Sequence, residues 1–170
     1  MPCCRLRSGR SMWRGLPDLS GCSRTMMLDR DEICALIPHA GSMCLLAGVT
    51  SWNQETISCY AVSHADAANP LRGDAGLPAV CGVEYAAQGM ALHARLSGTG
   101  SQSGIGLLAS VRDLRFFAER LDDRGALLRI EARRLTGSAQ GFIYDFEVHA
   151  ADALLLSGRA AILLVEGSGR

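Results

Sequence analysis

The chain has 170 residues, 48% of them hydrophobic and 20% charged, with 17 basic residues against 17 acidic ones. That length suits one domain with one substantial core, and the balance excludes a disordered or collagen-like chain. A formal charge of zero gives no electrostatic case for a nucleic-acid partner, and no run approaches 18 uninterrupted apolar residues, so no membrane span is expected. Every basic residue is arginine, which excludes Schiff-base and P-loop lysine chemistry.

Residues 1–25 differ in texture from the rest. They hold five arginines and one acidic residue, Asp18, among Gly, Ser, Pro and Cys, and lack the apolar region of a secretory signal. The stretch reads as a disordered or mis-assigned extension, with Met26 or Met27 opening directly onto a helix. A basic tail that orders on a partner is the alternative. A single domain is expected over residues 26–170. The seven cysteines, at 3, 4, 22, 34, 44, 59 and 81, form no CxxC pair and no zinc-ligand spacing. They read as small apolar fillers in a reducing cytoplasm.

From Asp29 the pattern becomes regular. Asp29, Asp31 and Glu32 suit a helix start, Ile33, Leu36 and Ile37 give it an apolar side, and Pro38 stops it. Residues 44–52 and 56–63 read as two strands of a hairpin around Asn53-Gln54-Glu55. Residues 64–78 are a loop rich in breakers, including Asn69-Pro70, Gly73, Gly76 and Pro78. Residues 80–98, VCGVEYAAQGMALHARLSG, form the one long helix, of about five turns. Val83, Ala87, Met90 or Ala91, and Ala94 recur at helical spacing with small residues nearly all round, so the helix is expected to be buried on most sides.

Four strands follow: 106–119, 126–137, 141–152 and 153–166. Turn signals separate them at Asp122-Asp123-Arg124-Gly125, Gly137-Ser138-Ala139-Gln140 and Asp152. Leu128, Ile130 and Ala132 alternate with Arg129, Glu131 and Arg133, which leaves one sheet face wet. One long helix enclosed by a strongly curved antiparallel sheet is the hot-dog arrangement, an α+β fold.

Four histidines and a few carboxylates are the acid–base inventory. Glu84 lies in the first turn of the buried helix, where an unpaired carboxylate would be costly. It is either a functional carboxyl or a cap that favours its own helix N-terminus. Gln88, one turn on, shares its face and can hold its rotamer. His39 follows the helix-stopping Pro38, and His64 opens the 64–78 loop. His93 lies nine residues beyond Glu84, about 14 Å along the axis, and so belongs to another site. His149 ends a strand and is expected to face solvent.

These residues carry a resemblance. ICALIPHAGSMCLLAGVTSW (33–52) resembles the "LPHR-P-LLLD-V" opening of bacterial 3-hydroxyacyl-acyl-carrier-protein dehydratases. LPAVCGVEYAAQGMALHARL (77–96) resembles their "MPG-L--EA-AQ" helix, with Glu84 and Gln88 in register. It is closer still to the dehydratase-like subfamily of aryl-polyene and related polyketide clusters, whose helix reads approximately "LPAW-GIEYMAQA-AAHAG". The likeness runs from about Asp31 to Glu166. It implies a hot-dog homodimer, an acyl carrier protein as partner, and no metal or organic cofactor. One departure stands out: the housekeeping enzymes carry their histidine in a "GHFPG-P-MPG" loop, and here NPLRGDAGLPAVCG (69–82) contains none. His39, within the matching motif, is the expected base, with His64 as the other choice.

The resemblance implies loss of water from a 3-hydroxyacyl thioester in a cytoplasmic enzyme. His39 takes the α-proton and Glu84, kept protonated by burial, returns one to the leaving hydroxyl. Backbone N–H groups at Gly82 and Val83 are the expected oxyanion donors, and the missing side chain of Gly82 admits the carbonyl. Met43, Leu45 and Met90 are expected to line the acyl tunnel. Arg112, Arg115 and Arg120 either meet the carrier protein or its phosphopantetheine phosphate, or are ordinary wet-face charge. In related dimers the two catalytic residues come from opposite subunits. The competing readings are an acyl-thioester hydrolase and a non-catalytic subunit that binds carrier protein.

Overall fold

The computed structural model describes residues 28–98, 104–125, 127–138 and 140–166, with the backbone alone for 104, 105 and 166. The extension expected over residues 1–25 lies outside the described residues. Helix α1 spans Arg30–Leu36 and starts on a reciprocal cap: Asp29 accepts from the Glu32 N–H, and Glu32 accepts from the Asp29 N–H. Ile37, the residue before Pro38, is extended, as the proline ring requires. Gly41, at φ 60°, then opens a single 3₁₀ turn over Gly41–Met43.

Strand β1 (Gly48–Trp52) begins later than the expected 44–52, and β2 (Thr56–Ala61) ends before 63. The reason is where the backbone bonds go. Leu45 N–H and the carbonyls of Met43 and Leu45 serve side chains of Gln88 and Ser63, so they leave no ladder to extend. Helix α2 spans Gly82–Leu96, preceded by a 3₁₀ turn at Ala79–Cys81. Strands β3 (Gly104–Phe116), β4 (Leu128–Ser138), β5 (Gly141–Ala150) and β6 (Ala153–Glu166) complete a six-stranded antiparallel sheet in the order β1-β2-β4-β5-β6-β3.

Alternation sets the faces. Phe142, Tyr144, Phe146 and Val148 of β5 and Leu128, Ile130 and Ala132 of β4 point inward, and the intervening residues are half-buried or exposed. Helix α2 packs on β2, β4 and β5 and buries Tyr85, Ala86, Gln88, Gly89, Met90, Leu92, His93 and Ala94. That is the hot-dog fold: one long helix held in the hollow of a curved antiparallel sheet. Strand β3 forms one edge and pairs only with β6 among the described residues.

The cysteines divide. Cys59 is a buried filler as expected, and Cys81 is a half-buried free thiol. Cys34 and Cys44, expected as fillers too, instead form a disulfide with their Cα atoms 6.0 Å apart. Folding of α1 over the 41–44 turn brings them together, and linear spacing does not reveal that approach.

Candidate active site

Two local structures meet at the start of α2. His39 sits between the stop at Pro38 and the turn at Gly41, which aims its ring at the first helical turn. Glu84 sits in that turn. His39 Nε2 lies 3.0 Å from Glu84 Oε1, and each side chain is a little under a third exposed. Both residues belong to one chain, so the expectation of a pair shared between subunits does not describe this contact. The two side chains touch directly. His39 Nδ1 is buried without a hydrogen-bond partner among the described residues. The nitrogen that can meet a substrate is therefore Nε2.

Gln88 fixes this meeting. Its amide nitrogen donates to Glu84 Oε1 at 3.0 Å and to the Met43 carbonyl at 2.8 Å, and its oxygen accepts the Leu45 N–H at 2.9 Å. The side chain is fully buried, so these bonds form away from competing water. One residue thus ties the carboxyl to the segment that follows His39.

The remaining expected residues fall as follows. Met43 is half-buried and reaches the site through its carbonyl, whereas Leu45 and Met90 are core residues. Gly82 is buried, and its N–H is shared between the carbonyls of Ala79 and Val80. A Cβ there would meet Leu156 Cδ2 at 2.5 Å, so the room left by the missing side chain is filled by Leu156, not left for a carbonyl. Val83 follows it in the first turn of α2 and is half-buried.

His64 is buried, with Nε2 3.4 Å from the Arg124 carbonyl, and Glu84 has His39 and Gln88 as its polar partners. His93 is fully buried between the Tyr144 hydroxyl and the Asn53 carbonyl, at 2.9 Å each. Burial pushes its pKa below the usual histidine value and that of Tyr144 up to about 12. His149 lies on the outer sheet face, 3.0 Å from Glu147 and near Glu131. Glu131 is also paired with Arg129 at 3.2 Å.

Arg112 and Arg115 are exposed on β3 and carry no ion pair among the described residues, whereas Arg120 is committed to Asp122. That aspartate is almost wholly covered and is also paired with Arg72, so it ties the loop before α2 to the segment after β3. The sequence offered no signal for this clamp, because its three members come from two separate loops. The buried network of Tyr85 hydroxyl, Ser63 and Asn69 was equally silent.

Fold and site together define a hot-dog protein with a histidine–carboxyl pair at the start of its central helix. Residues 31–166 match the ApeP-like family, described as ApeP dehydratase, and the chain belongs to that family. Among solved structures it is similar to a dehydratase heterocomplex, ApeI:P, from Xenorhabdus doucetiae. The identity there is 21% over 83% of this chain and 93% of that one, with a TM-score of 0.71. It is similar also to the dehydratase domain of a mycocerosic acid synthase-like polyketide synthase, at 20% identity, 84% and 50% coverage and a TM-score of 0.63. A mutant thioesterase from Pseudomonas aeruginosa shares the fold at 15% identity, 92% and 99% coverage and a TM-score of 0.58. No curated protein matches the chain. No helix among the described residues is long and apolar enough to cross a membrane.

Proposed function

We propose that the protein dehydrates 3-hydroxyacyl thioesters carried on an acyl carrier protein to the trans-2-enoyl thioesters, in fatty-acid, polyketide or aryl-polyene synthesis. The observation that carries this reading is the 3.0 Å contact of His39 Nε2 with Glu84 Oε1, held in place by Gln88. β-Elimination needs one group to take the α-proton and another to give a proton to the departing hydroxyl. His39 is the base and Glu84 the acid, with the substrate carbons entering between them as their contact opens.

After water leaves, His39 holds a proton that Glu84 has lost. Closing the pair again lets Nε2–H return that proton to Oε1 directly, which resets both groups without solvent. The helix start supplies the field for the developing enolate oxygen, with the Val83 and Gly82 backbone nearby. Gly82 would have to exchange its present carbonyl partners to donate there. Of Arg112, Arg115 and Arg120, the first two carry no ion pair among the described residues and can meet the phosphopantetheine phosphate or the acidic carrier. No metal or organic cofactor has a step in this scheme.

The hydrolase reading uses the same pair to activate water at the thioester carbonyl, and a solved thioesterase shares the fold. Parallel assays with 3-hydroxyacyl and saturated acyl thioesters on carrier protein decide between them. A conjugated enoyl product from the first with no free thiol from the second supports dehydration. Thiol release from saturated substrate with no enoyl product overturns it. Carrier binding without turnover of either would leave a non-catalytic subunit.

A further inference from the structure

Cys34 and Cys44 close a covalent ring around the candidate base. Cys34 lies in the last turn of α1 and Cys44 follows the 3₁₀ turn, so the nine residues between them include Pro38, His39 and Gly41. Further bonds fix the two ends of this ring. On the far side, Gln88 holds both neighbours of Cys44, through the Met43 carbonyl and the Leu45 N–H. On the near side, Arg30 of α1 donates to the carbonyls of Gly41 and Cys44 at 2.8 and 3.3 Å. Arg95 meets the Leu36 carbonyl at 3.2 Å at the end of α1.

We propose that Cys34 and Cys44 are a reversible thiol–disulfide site that sets the position of His39, with the bonded form holding the base on Glu84. Two sulfurs that are not bonded must sit more than an ångström farther apart than in a disulfide. Cys44 is anchored to α2 through both of its clamped neighbours, whereas α1 is tied to this region through the long, flexible Arg30 and Arg95 side chains, which can follow a shift, so reduction moves the end of α1. His39 lies three residues past the end of α1, joined to it through Ile37 and the stiff Pro38, and moves with it.

The redox step is ordinary thiol–disulfide exchange with a low-molecular-weight disulfide of the glutathione class. Cys34 is half-buried and Cys44 is buried, so Cys34 meets the oxidant first. Its thiolate attacks one sulfur of the small disulfide, whose S–S bond breaks to release one thiolate. The Cys44 thiolate then attacks the Cys34 sulfur of the mixed disulfide and releases the second. The two cysteines lose two electrons and two protons, and the small disulfide gains them as two thiols. Excess small thiol runs the same steps in reverse.

The effect on turnover rests on His39 being the base, so the test includes a readout that does not. The full-length protein is equilibrated with oxidised or reduced glutathione, then alkylated and mapped by mass spectrometry. In parallel, kcat and the rate of His39 modification by diethyl pyrocarbonate are measured in both states. The expected outcome is a linked Cys34–Cys44 peptide in the oxidised sample only, with Cys81 open to alkylation in both. Reduction should lower kcat by about tenfold, well within what an ångström of misplacement costs, and raise the His39 labelling rate severalfold. Cys34→Ser and Cys34→Ala should match the reduced protein in either buffer, and the wild-type comparison needs no variant to fold. Absence of the linked peptide overturns the proposal, as does a linked form whose His39 labelling rate equals that of the reduced form. If neither state turns over substrate, the dehydratase reading fails, and the labelling rate alone decides for or against this switch.

Discussion

Gln88 donates to Glu84 Oε1 at 3.0 Å while the same nitrogen holds the Met43 carbonyl at 2.8 Å. Removing the amide leaves the Met43 carbonyl and the buried Leu45 N–H without their partner. Gln88→Ala should therefore cost about 1–3 kcal/mol of stability for the orphaned groups. Activity at a temperature where the variant is fully folded should fall further than this loss explains, because Glu84 and the His39 loop are both released. Thermal melts and kcat measured together test this. A variant that loses stability but keeps wild-type kcat would make Gln88 a purely structural residue.

Glu84→Gln keeps shape but cannot deliver a proton, so turnover should fall by about 10²–10⁴-fold. His39→Ala should cost as much, and the double variant little more, because residues acting as one unit are not additive. His64→Ala is the control for the base and should stay near wild-type kcat at temperatures where it is folded. A large loss of kcat in the His64 variant with little in the His39 variant would reassign the base.

Much of this was legible in the chain because it depended on local pattern. The alternation of Leu128, Ile130 and Ala132 marks a half-wet strand, and the small residues all round α2 mark a buried helix. Glu84, Gln88 and His39 were legible from their setting and from the resemblance their segments carry. Contacts between distant segments were not. The direct touch of His39 and Glu84 within one chain, the filling of the Gly82 space by Leu156 and the closure of Cys34 on Cys44 all depend on how α1 and β6 dock against α2. No residue type or interval in the sequence encodes that approach.

His93 has both ring nitrogens bonded and no exposure to solvent. Its Nε2–H donates to the Asn53 carbonyl, so Nδ1 accepts from the Tyr144 hydroxyl. Tyr144→Phe removes only that hydroxyl and leaves Nδ1 buried and unpaired, at a cost of about 1–3 kcal/mol. Activity should be unchanged, since the pair is about 14 Å from Glu84 along the helix. Denaturant titration gives the first value and a standard assay the second.

Stability should fall with acid in two stages. Burial holds the His93 pKa below its ordinary 6.5, so below that pH the unfolded chain binds a proton that the folded one resists. The Arg120 guanidinium, with Arg72 and backbone N–H groups beside it, holds the Asp122 carboxyl well below its ordinary 3.8. The stability from Asp122 is therefore complete above pH 3.8 and is lost as the pH falls beneath it. Melting temperature followed from pH 8 to 3 should decline from about pH 6.5 and more steeply below pH 4. His93→Gln should flatten the first stage and Asp122→Asn the second. A wild-type profile level down to pH 5 would contradict the assignment to His93.

The edge strand β3 bears Leu107 and Leu108, both well exposed, and runs on into Phe116 and Phe117, of which Phe117 is 58% exposed. Its second backbone edge has no partner among the described residues, and its charges, Arg112, Asp113 and Arg115, are confined to its later half. An exposed apolar edge of this kind invites strand pairing with another chain. A second copy, pairing β3 to β3 about a two-fold axis, satisfies that edge and covers the leucines on both sides. Light scattering at micromolar concentration should therefore give a dimer. Leu107→Glu puts a charge from each chain into the apolar half of that edge, at a side chain already half in solvent, so each chain should still fold while the dimer weakens by at least about tenfold. His39 and Glu84 meet within one chain, so the separated variant should keep their contact, and diethyl pyrocarbonate should label His39 at the wild-type rate. A wild-type monomer, or a Leu107→Glu variant that associates as tightly as wild type, would place the interface elsewhere.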